Sequence, residues 1–494
     1  MGKEFYRDRL KKPINQEVLN FLSSLEEDLW IAEEDIIGTE VHTIMLYEQE
    51  ILNKEEIGKI LNSLERIKKS LLNHTLKLDY GFEDIHPFIE KCVIDEIGMD
   101  IGGKIHTGRS RNDQVSVDLR MKIRSELNIL SERLLTFVDV LIKMSEKTSE
   151  VYIPLYTHLQ RGQLGVFAHY INNYIAQISR SLDRVAQVYQ RINKNPLGAC
   201  AIGGTSINID RKRTAELLGF DGIVENSIDA ISSRDYIYET LMCLSLISIQ
   251  FSRISEDLLL WSTKEFNFIE LDDQYCSVSS VMPQKKNPDT LELVRSRSSK
   301  IMGNLFTASL MIKAIPTGYF MDFQELKMLV KNSFDTVFSI IEMLTGIFTT
   351  FKINEDKMIC AIEESHILAL DIAERLVHDY NIPFRVSHQI VASLVRDSQK
   401  PEDLFNKKAL ETLILKHYKT SLKLPDNFTE SMKDYKSCLE KRISEGSPSI
   451  FEVKNTLISL TRKTANINSL FLKRLENLER NKELREDRIK KLIL

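Results

Sequence analysis

A chain of 494 residues with a formal charge of −5 and 28% charged residues is long enough for several domains and a large buried core. The balance of signs excludes a broad basic field, so we expect no nucleic-acid partner. Six cysteines show neither a CxxC pair nor a zinc-ligand spacing, and we predict a reducing compartment and no metal.

The first thirteen residues contain no apolar run typical of a signal peptide. No stretch of about eighteen apolar residues free of charge occurs further along, so a membrane span is not expected. These two observations predict a cytoplasmic location.

The chain is predicted to be mostly helical because long stretches contain neither glycine nor proline. Apolar residues recur at roughly helical intervals over 110–153 and again over 226–271. The second stretch would form a rod of roughly 65–70 Å if it were one helix. Residues 289–300, continuing past Gly303, and 320–344 add two more helices.

Rods that are apolar around much of their circumference need neighbours on several sides. We therefore predict an all-α fold whose long central helices form a bundle completed by other copies of the chain; a monomeric bundle with an ordinary core is the alternative.

The predicted domains are residues 1–108, a central bundle over 109–365 and a helical domain over 366–494. The tail, 473–491, has a mixed-charge helical pattern that suits a solvated face or a subunit contact.

The first cluster of functional residue types spans 102–114 and reads GGKIHTGRSRNDQ. Its glycines permit close backbone approach, and an arginine fork pairs bidentately with a carboxylate or phosphate. The glycine spacing fits neither a P-loop nor a dinucleotide fingerprint. The segment therefore predicts an anion pocket, with a basic surface loop as the alternative.

A second cluster, YTHLQRGQ over 156–163, contains His158. Histidine is the side chain most easily poised for proton transfer near neutral pH. A histidine satisfied at the end of a secondary-structure element is the alternative, and residue type alone does not decide between the two.

The third cluster, VSSVMPQKKNPD over 278–289, places two hydroxyls six residues ahead of paired lysines. Hydroxyls can move a proton, while an ammonium, an amide and backbone N–H groups can hold charge developing on a carboxylate. A polar turn before a helix is the alternative, because Pro283 and Pro288 both interrupt regular structure.

Together these clusters resemble the argininosuccinate lyase family, within the group that includes fumarases, aspartases and adenylosuccinate lyases. The resemblance extends from about Ser24 to Gly446 and includes EDIH at 83–86, NIPFR at 381–385 and His388. The QKKNPD of the third cluster and HTGRSRNDQ favour argininosuccinate over the substrates of the other members.

The resemblance implies that argininosuccinate is split into arginine and fumarate, the last step of arginine biosynthesis, without a cofactor. It implies four catalytic residues: Ser279, His158, Lys285 and Glu292. Ser279 and His158 are the proton carriers, with Glu292 orienting His158, and the family favours Ser279 as the base, although the sequence does not decide which of the two is base.

The family's substrate contacts carry over to two groups. On the succinate end they are Ser110, Arg111, Thr157 and Asn287, together with Lys285. On the amino-acid end they are Ser24, Asp28, Asn112, Tyr319, Gln324 and Lys327. The family's homotetramer, with each site built from three subunits, is implied as well.

One departure concerns the loop, where Val278 replaces the glycine that usually precedes the paired serines, which puts loop mobility in doubt. Two alternatives to the predicted activity remain. One is a non-catalytic structural relative, as some lens crystallins of the family are, and the other is a lyase for a different fumaryl adduct such as adenylosuccinate.

Overall fold

The computed structural model describes residues 9–493, and they fold mainly into helices. Residues 1–8, part of the segment on which the expected lack of a leader rests, lie outside the described residues. Within the described part of the chain, no helix is both long enough and apolar enough to cross a membrane.

The helices of the N-terminal part are α1 (Gln16–Leu22), α2 (Leu25–Asp28), α3 (Ala32–Glu48), α4 (Lys54–Leu72), α5 (Ile85–Ile97) and α6 (Met99–Gly102). Those of the middle part are α7 (Arg111–Lys147), α8 (Phe167–Ile192), α9 (Arg211–Leu218), α10 (Ser227–Ser232), α11 (Asp235–Ser262), α12 (Asp289–Ile312) and α13 (Leu326–Thr350). Those of the C-terminal part are α14 (Glu355–Glu363), α15 (Ala369–Tyr380), α16 (Phe384–Asp397), α17 (Lys407–Tyr418), α18 (Tyr435–Glu440) and α19 (Ile450–Ile493).

The strands found in residues 9–493 are short and pair in twos. They are β1 (Tyr152–Thr157), β2 (Gln160–Val166), β3 (Ile269–Glu270), β4 (Ser277–Val278), β5 (Lys286–Asn287) and β6 (Lys352–Ile353). β1 pairs with β2, β3 with β6 and β4 with β5, all antiparallel. The prediction of a helical fold is confirmed, and two of these pairs, β1–β2 and β4–β5, carry predicted site residues.

Helix α7 confirms the helix predicted from the breaker-free stretch 110–153, up to Lys147. Ser110 caps it: the Ser110 side chain accepts from the N–H of Asn112, and the Asp113 carboxylate accepts from the Ser110 N–H at 2.9 Å. The helix therefore begins within the predicted anion-binding segment, so that this segment sits at the positive end of a helix of 37 residues.

The predicted rod over 226–271 is two helices, α10 and α11, with a break at Ser233 and Arg234. Arg234 is 2% exposed, and its Nη1 donates to the carbonyl oxygens of Ile231 and Ser233. The buried guanidinium thus donates hydrogen bonds to carbonyl groups at the end of α10, and these bonds stabilise the bend. The 28 residues of α11 give a rod of about 42 Å, shorter than the single-helix estimate.

Three large apolar clusters hold the described part of the chain together, besides a small one around Ala199 and Ile231. The first joins α2–α5, the second joins the long helices α7, α8 and α11–α13, and the third lies among α14–α18. Leu164 and Val166 of β2 belong to the third cluster, while Phe167, the first residue of α8, belongs to the second. The hairpin β1–β2 is therefore anchored between the helical bundle and the C-terminal helices.

The helix predicted over the charged tail is part of α19, 44 residues long. Most of its side chains are exposed, but Leu457 and Phe471 pack on the long helices while Ile489 and Leu492 are buried in the first cluster. Arg488 donates to Glu48 at 3.0 Å. The tail therefore spans the molecule from the C-terminal helices to the N-terminal ones.

Candidate functional site

The predicted anion-binding segment is held in place by buried polar contacts. One oxygen of Asp113 caps α7, and the other accepts the N–H groups of Gly198 and Cys200, both at 2.9 Å. Asn112 extends the same contact, donating from Nδ2 to the carbonyl oxygen of Ala201 at 3.0 Å. Gly108 has φ +68°, and an added Cβ would lie 3.1 Å from Ile209, so the turn before α7 requires glycine.

Arg111, in the first turn of α7, is partly exposed, and its guanidinium contacts two carboxylates. Its Nη1 donates to Asp84 at 2.9 Å and lies 3.4 Å from a carboxylate oxygen of Glu83. Asp84 is itself the N-cap of α5. The guanidinium is therefore fixed between the starts of two helices, whose dipoles favour a bound anion.

The predicted amino-acid-end contacts form a second group on α2 and at the start of α13. Ser24 Oγ donates to Asp28 Oδ2 at 2.8 Å, and Lys327 Nζ donates to Ser24 Oγ at 3.3 Å and pairs with Asp28. Lys327 is 3% exposed and Asp28 is fully buried. Burial lowers the pKa of Lys327 to about 8, and the negative charge of Glu27 acts in the opposite direction.

Gln324 and Tyr319 border this group. Gln324 Nε2 donates to the carbonyl oxygen of Leu22 at 3.0 Å, which docks the turn before α13 onto the segment before α2. Burial raises the pKa of the Tyr319 phenol, and the positive charges of Arg234 and Arg111 act in the opposite direction. The Ser24 N–H donates to the carbonyl oxygen of Glu83 at 2.9 Å, and Asp28 Oδ2 accepts the N–H of Ile85 at 3.3 Å. The amino-acid-end group therefore lies against the segment whose carboxylates hold Arg111.

His158 occupies the tip of the hairpin β1–β2 beside Thr157, and both are exposed. His158 and Leu159 have φ +54° and +56°, the values that a two-residue turn of type I′ requires. That turn usually takes Asn and Gly, so two bulky residues there store local strain. A bulge between Leu155 and Tyr156 changes the register next to the tip.

The Ser279 loop connects β4 to β5. The Ser279 N–H donates to the carbonyl oxygen of Lys285 at 3.1 Å, and Ser279 Oγ accepts the N–H groups of Met282 at 3.0 Å and Val281 at 3.3 Å. Two backbone donors thus point at the hydroxyl oxygen. Such donors stabilise negative charge on oxygen, which favours ionisation of the hydroxyl.

The other predicted residues of this region lie on the loop, at its base and at the start of α12. Lys285 is exposed, and Asn287 Nδ2 lies 3.4 Å from the Ser277 hydroxyl at the base of the loop. Glu292 lies exposed in the first turn of α12. Val278 is 77% exposed and pairs with Lys286, so the stiff residue ahead of Ser279 belongs to the short ladder that supports the loop.

Within the described part of a single chain, the predicted residues are not all joined by direct polar contacts. Among residues 9–493, no side-chain hydrogen bond or ion pair joins the His158 hairpin to the Ser279 loop or to Glu292. The orientation of His158 by Glu292 therefore stays a prediction. A groove of about 980 Å³ between α19 and the bundle is lined by none of the predicted site residues.

Sequence reasoning missed the polar residues behind Arg111. His86 contacts both Asp84 and Asp118, and all three are buried. A signal was present, since Arg111, Gln114 and Asp118 are spaced by three and four residues and so share one face of α7. Charged and polar residues on the buried face of a helix need hydrogen-bond partners from other buried side chains, so this face of α7 predicts such partners.

Comparisons with known proteins agree with the motifs. A family model described as Lyase matches residues 8–303, and one described as Argininosuccinate lyase C-terminal matches 366–440. An argininosuccinate lyase of Nitrosopumilus maritimus is 44% identical over 79% of this chain and 80% of its own length. That of Methanocaldococcus jannaschii is 37% identical over 98% of this chain and 97% of its own length.

Solved structures agree on the fold. The crystal structure of EDDS lyase in complex with formate superposes with a TM-score of 0.85 at 26% identity, covering 97% of this chain and 95% of that chain. A class II fumarase from Schistosoma mansoni shares the fold alone, with a TM-score of 0.69 at 15% identity over 85% of this chain and 94% of that one. With the sequence relatives and both family models, these findings show that the chain belongs to the argininosuccinate lyase family.

Proposed function

We propose that this chain is a carbon–nitrogen lyase that catalyses the reversible elimination of fumarate from argininosuccinate, leaving arginine. The observation that carries this proposal is the 37–44% identity to argininosuccinate lyases over 79–98% of the chain. Arginine biosynthesis is the process that this reaction serves.

The reaction removes a proton beside one carboxylate and breaks the C–N bond on the next carbon. A carbon acid of this kind is very weak, and the intermediate carries two negative charges on one carboxylate group. A well-placed donor or cation supplies about 3 kcal/mol of stabilisation, and a positioned proton carrier gives roughly 10²–10⁴ in rate. Several groups must therefore act together.

Ser279 is the proposed base. Its oxygen accepts two backbone N–H groups, from Val281 and Met282, which supports an ionised hydroxyl when the loop closes over substrate. His158, oriented by Glu292, is the proposed acid for the leaving guanidinium nitrogen. Its exposed position on a strained hairpin tip suits a group presented to a site outside its own bundle.

The substrate's two ends are proposed to bind to different groups. The succinate carboxylates take Arg111, Ser110 and Thr157, with Lys285 and Asn287 holding the carboxylate that becomes enolate-like. The amino-acid end takes the pair of Asp28 and Lys327, a cation beside an anion, which complements the zwitterion of an amino acid. The remaining proposed contacts there are Ser24, Asn112, Tyr319 and Gln324.

We infer that the active site is completed by other copies of the chain in a homotetramer. Helix α12 exposes Met302, Phe306 and Leu310 by 47%, 64% and 49%, at intervals of four residues. Helix α11 exposes Met242, Leu246 and Ile249 by 43%, 40% and 39%. Two long helices with an uncovered apolar stripe each support a shared bundle.

The six cysteines are free thiols, which supports a cytoplasmic location.

The test is to mix purified protein with argininosuccinate and follow the ultraviolet absorbance of fumarate. Adenylosuccinate, aspartate and EDDS are the comparison substrates, the last because the EDDS lyase fold matches over nearly the whole chain. Fumarate released only from a comparison substrate would overturn the assignment. Folded protein that is inactive on all of them would favour the structural alternative.

A further inference from the structure

A buried polar cluster lies directly behind Arg111 and has no role in the proposed mechanism. Asp84 faces Arg111 with one oxygen, Oδ2, at 2.9 Å. Its other oxygen, Oδ1, accepts the backbone N–H of His86 at 3.1 Å and faces His86 Nδ1 at 3.0 Å. Asp84 therefore links the histidine to the arginine and is held from both sides.

The second ring nitrogen of His86 also faces a carboxyl group. His86 Nε2 lies 3.0 Å from Asp118 Oδ2, and His86 and Asp118 are 4% and 1% exposed. A carboxylate oxygen only accepts, and a neutral imidazole carries a single N–H. Two donated hydrogen bonds therefore require both ring nitrogens to be protonated, which makes His86 an imidazolium.

A third carboxyl group, that of Asp35, lies beside the cluster. Asp35 is 1% exposed and accepts from Gln114 Nε2 at 3.0 Å, while Asp35 Oδ2 and Asp118 Oδ1 have no hydrogen-bond partner among the described residues. Burial and the nearby Asp35 raise the pKa of Asp118, and the hydrogen bond with His86 acts in the opposite direction. The cluster thus surrounds His86 with carboxyl groups, which favours the protonated imidazole.

We propose that His86 is a positioning residue for substrate binding: its imidazolium fixes Asp84, and Asp84 fixes the direction of the Arg111 guanidinium. The inference rests on the proposed role of Arg111 in binding a substrate carboxylate. An arginine side chain that is already oriented loses less rotamer freedom when the ligand binds. The cluster therefore acts on affinity and leaves the proton-transfer step to other groups.

The first experiment measures how His86→Gln changes binding of succinate, a dicarboxylate that cannot react. We expect calorimetry to show affinity weakened about 3- to 10-fold, the equivalent of one disordered side chain. The KM for argininosuccinate should rise by a similar factor, with kcat within about threefold of the unsubstituted enzyme. His378→Gln, on an 89% exposed side chain of α15, is the matched control and should change neither quantity.

Three outcomes of this experiment separate the possibilities. A folded His86→Gln variant with unchanged succinate affinity, or with a lowered kcat alone, overturns the inference. If the unsubstituted protein releases no fumarate from argininosuccinate but His86→Gln still weakens succinate binding, the proposed function fails and the positioning role stands. If EDTA abolishes succinate binding and zinc restores it only when His86 is present, His86 is a metal ligand and the inference is overturned.

The second experiment uses pH and does not depend on the folding of the glutamine variant. The groups that face His86 are Asp84 at the start of α5, Asp118 and Arg111 on α7, and Asp35 on α3. Burial lowers the pKa of His86, but the surrounding carboxyl groups outweigh it and the pKa lies well above the ordinary 6.5. Because the pKa is raised, the protonated cluster is complete below that value and is lost as pH rises through the raised pKa.

Succinate stays doubly charged above about pH 7, so a loss of affinity at higher pH reports on the protein. We expect the affinity of the unsubstituted enzyme to fall as the cluster loses its proton. Asp118→Asn keeps an acceptor for His86 but removes a carboxyl group, and should move this loss to lower pH by about one unit or more. An unmoved midpoint in Asp118→Asn would overturn the inference.

Discussion

Replacing Ser279 by alanine removes the proposed base while leaving its surroundings nearly unchanged. The hydroxyl oxygen accepts two backbone N–H groups within an exposed loop and makes no other described side-chain contact. Its loss therefore costs at most about 1 kcal/mol for each bond, and water can replace both bonds in an exposed turn. The overall fold should be unaffected.

The effect on catalysis should be much larger. A positioned proton carrier contributes roughly 10²–10⁴ in rate, which is about 3–5 kcal/mol of transition-state stabilisation. The oxygen that takes up the substrate proton contributes little to ground-state affinity. We therefore expect Ser279→Ala to lower kcat by at least two orders of magnitude, with succinate affinity within about threefold of the unsubstituted enzyme.

The assay follows fumarate release under saturating argininosuccinate, with succinate binding measured by calorimetry on the same preparations. Ser280→Ala is the matched control, because it removes the same atom from the next residue, which is exposed and makes no described side-chain hydrogen bond. A Ser279→Ala enzyme with near-normal kcat would refute the assignment of the base, and His158 or Ser280 would have to take that role.

The remaining predictions concern the buried ion pair, the apolar stripe and the tail. Lys327→Met leaves Asp28 buried and unpaired and should lower the free energy of unfolding by about 3–5 kcal/mol in urea titrations; adding Asp28→Asn should recover part of that loss, and strictly additive losses would contradict the pairing. Phe306→Asp should lower the oligomer mass seen by light scattering and abolish activity, whereas Phe451→Asp, on a side chain that is also 64% exposed, should do neither; an active tetramer of the first variant would exclude this stripe from the interface. Ile489→Ala should destabilise the fold by about 2–4 kcal/mol because Ile489 is 4% exposed, while the exposed neighbour in Lys490→Ala should be neutral; equal effects would show that the tail does not pack in the N-terminal cluster.

The local pattern of the sequence determined the helical class and most of the long helices. Helix α7 begins at the Ser110 cap and follows the apolar period, and α12 follows the breaker-free stretch after Pro288. These features depend on neighbours within one or two turns, which is why periodicity and capping predict them. The motifs around Ser279, His158 and Arg111 likewise pointed to the family, because family motifs are themselves short segments.

Tertiary structure alone decided where the helices stop and which polar groups meet. The break between α10 and α11 depends on a buried Arg234 that takes up carbonyl groups, and the course of α19 depends on apolar residues that reach the N-terminal cluster. The contact of His86 with Asp84 and Asp118 joins residues 32 apart in sequence. A buried polar group is stable only where another element supplies its partner, and the pattern of a single segment carries no information about that approach.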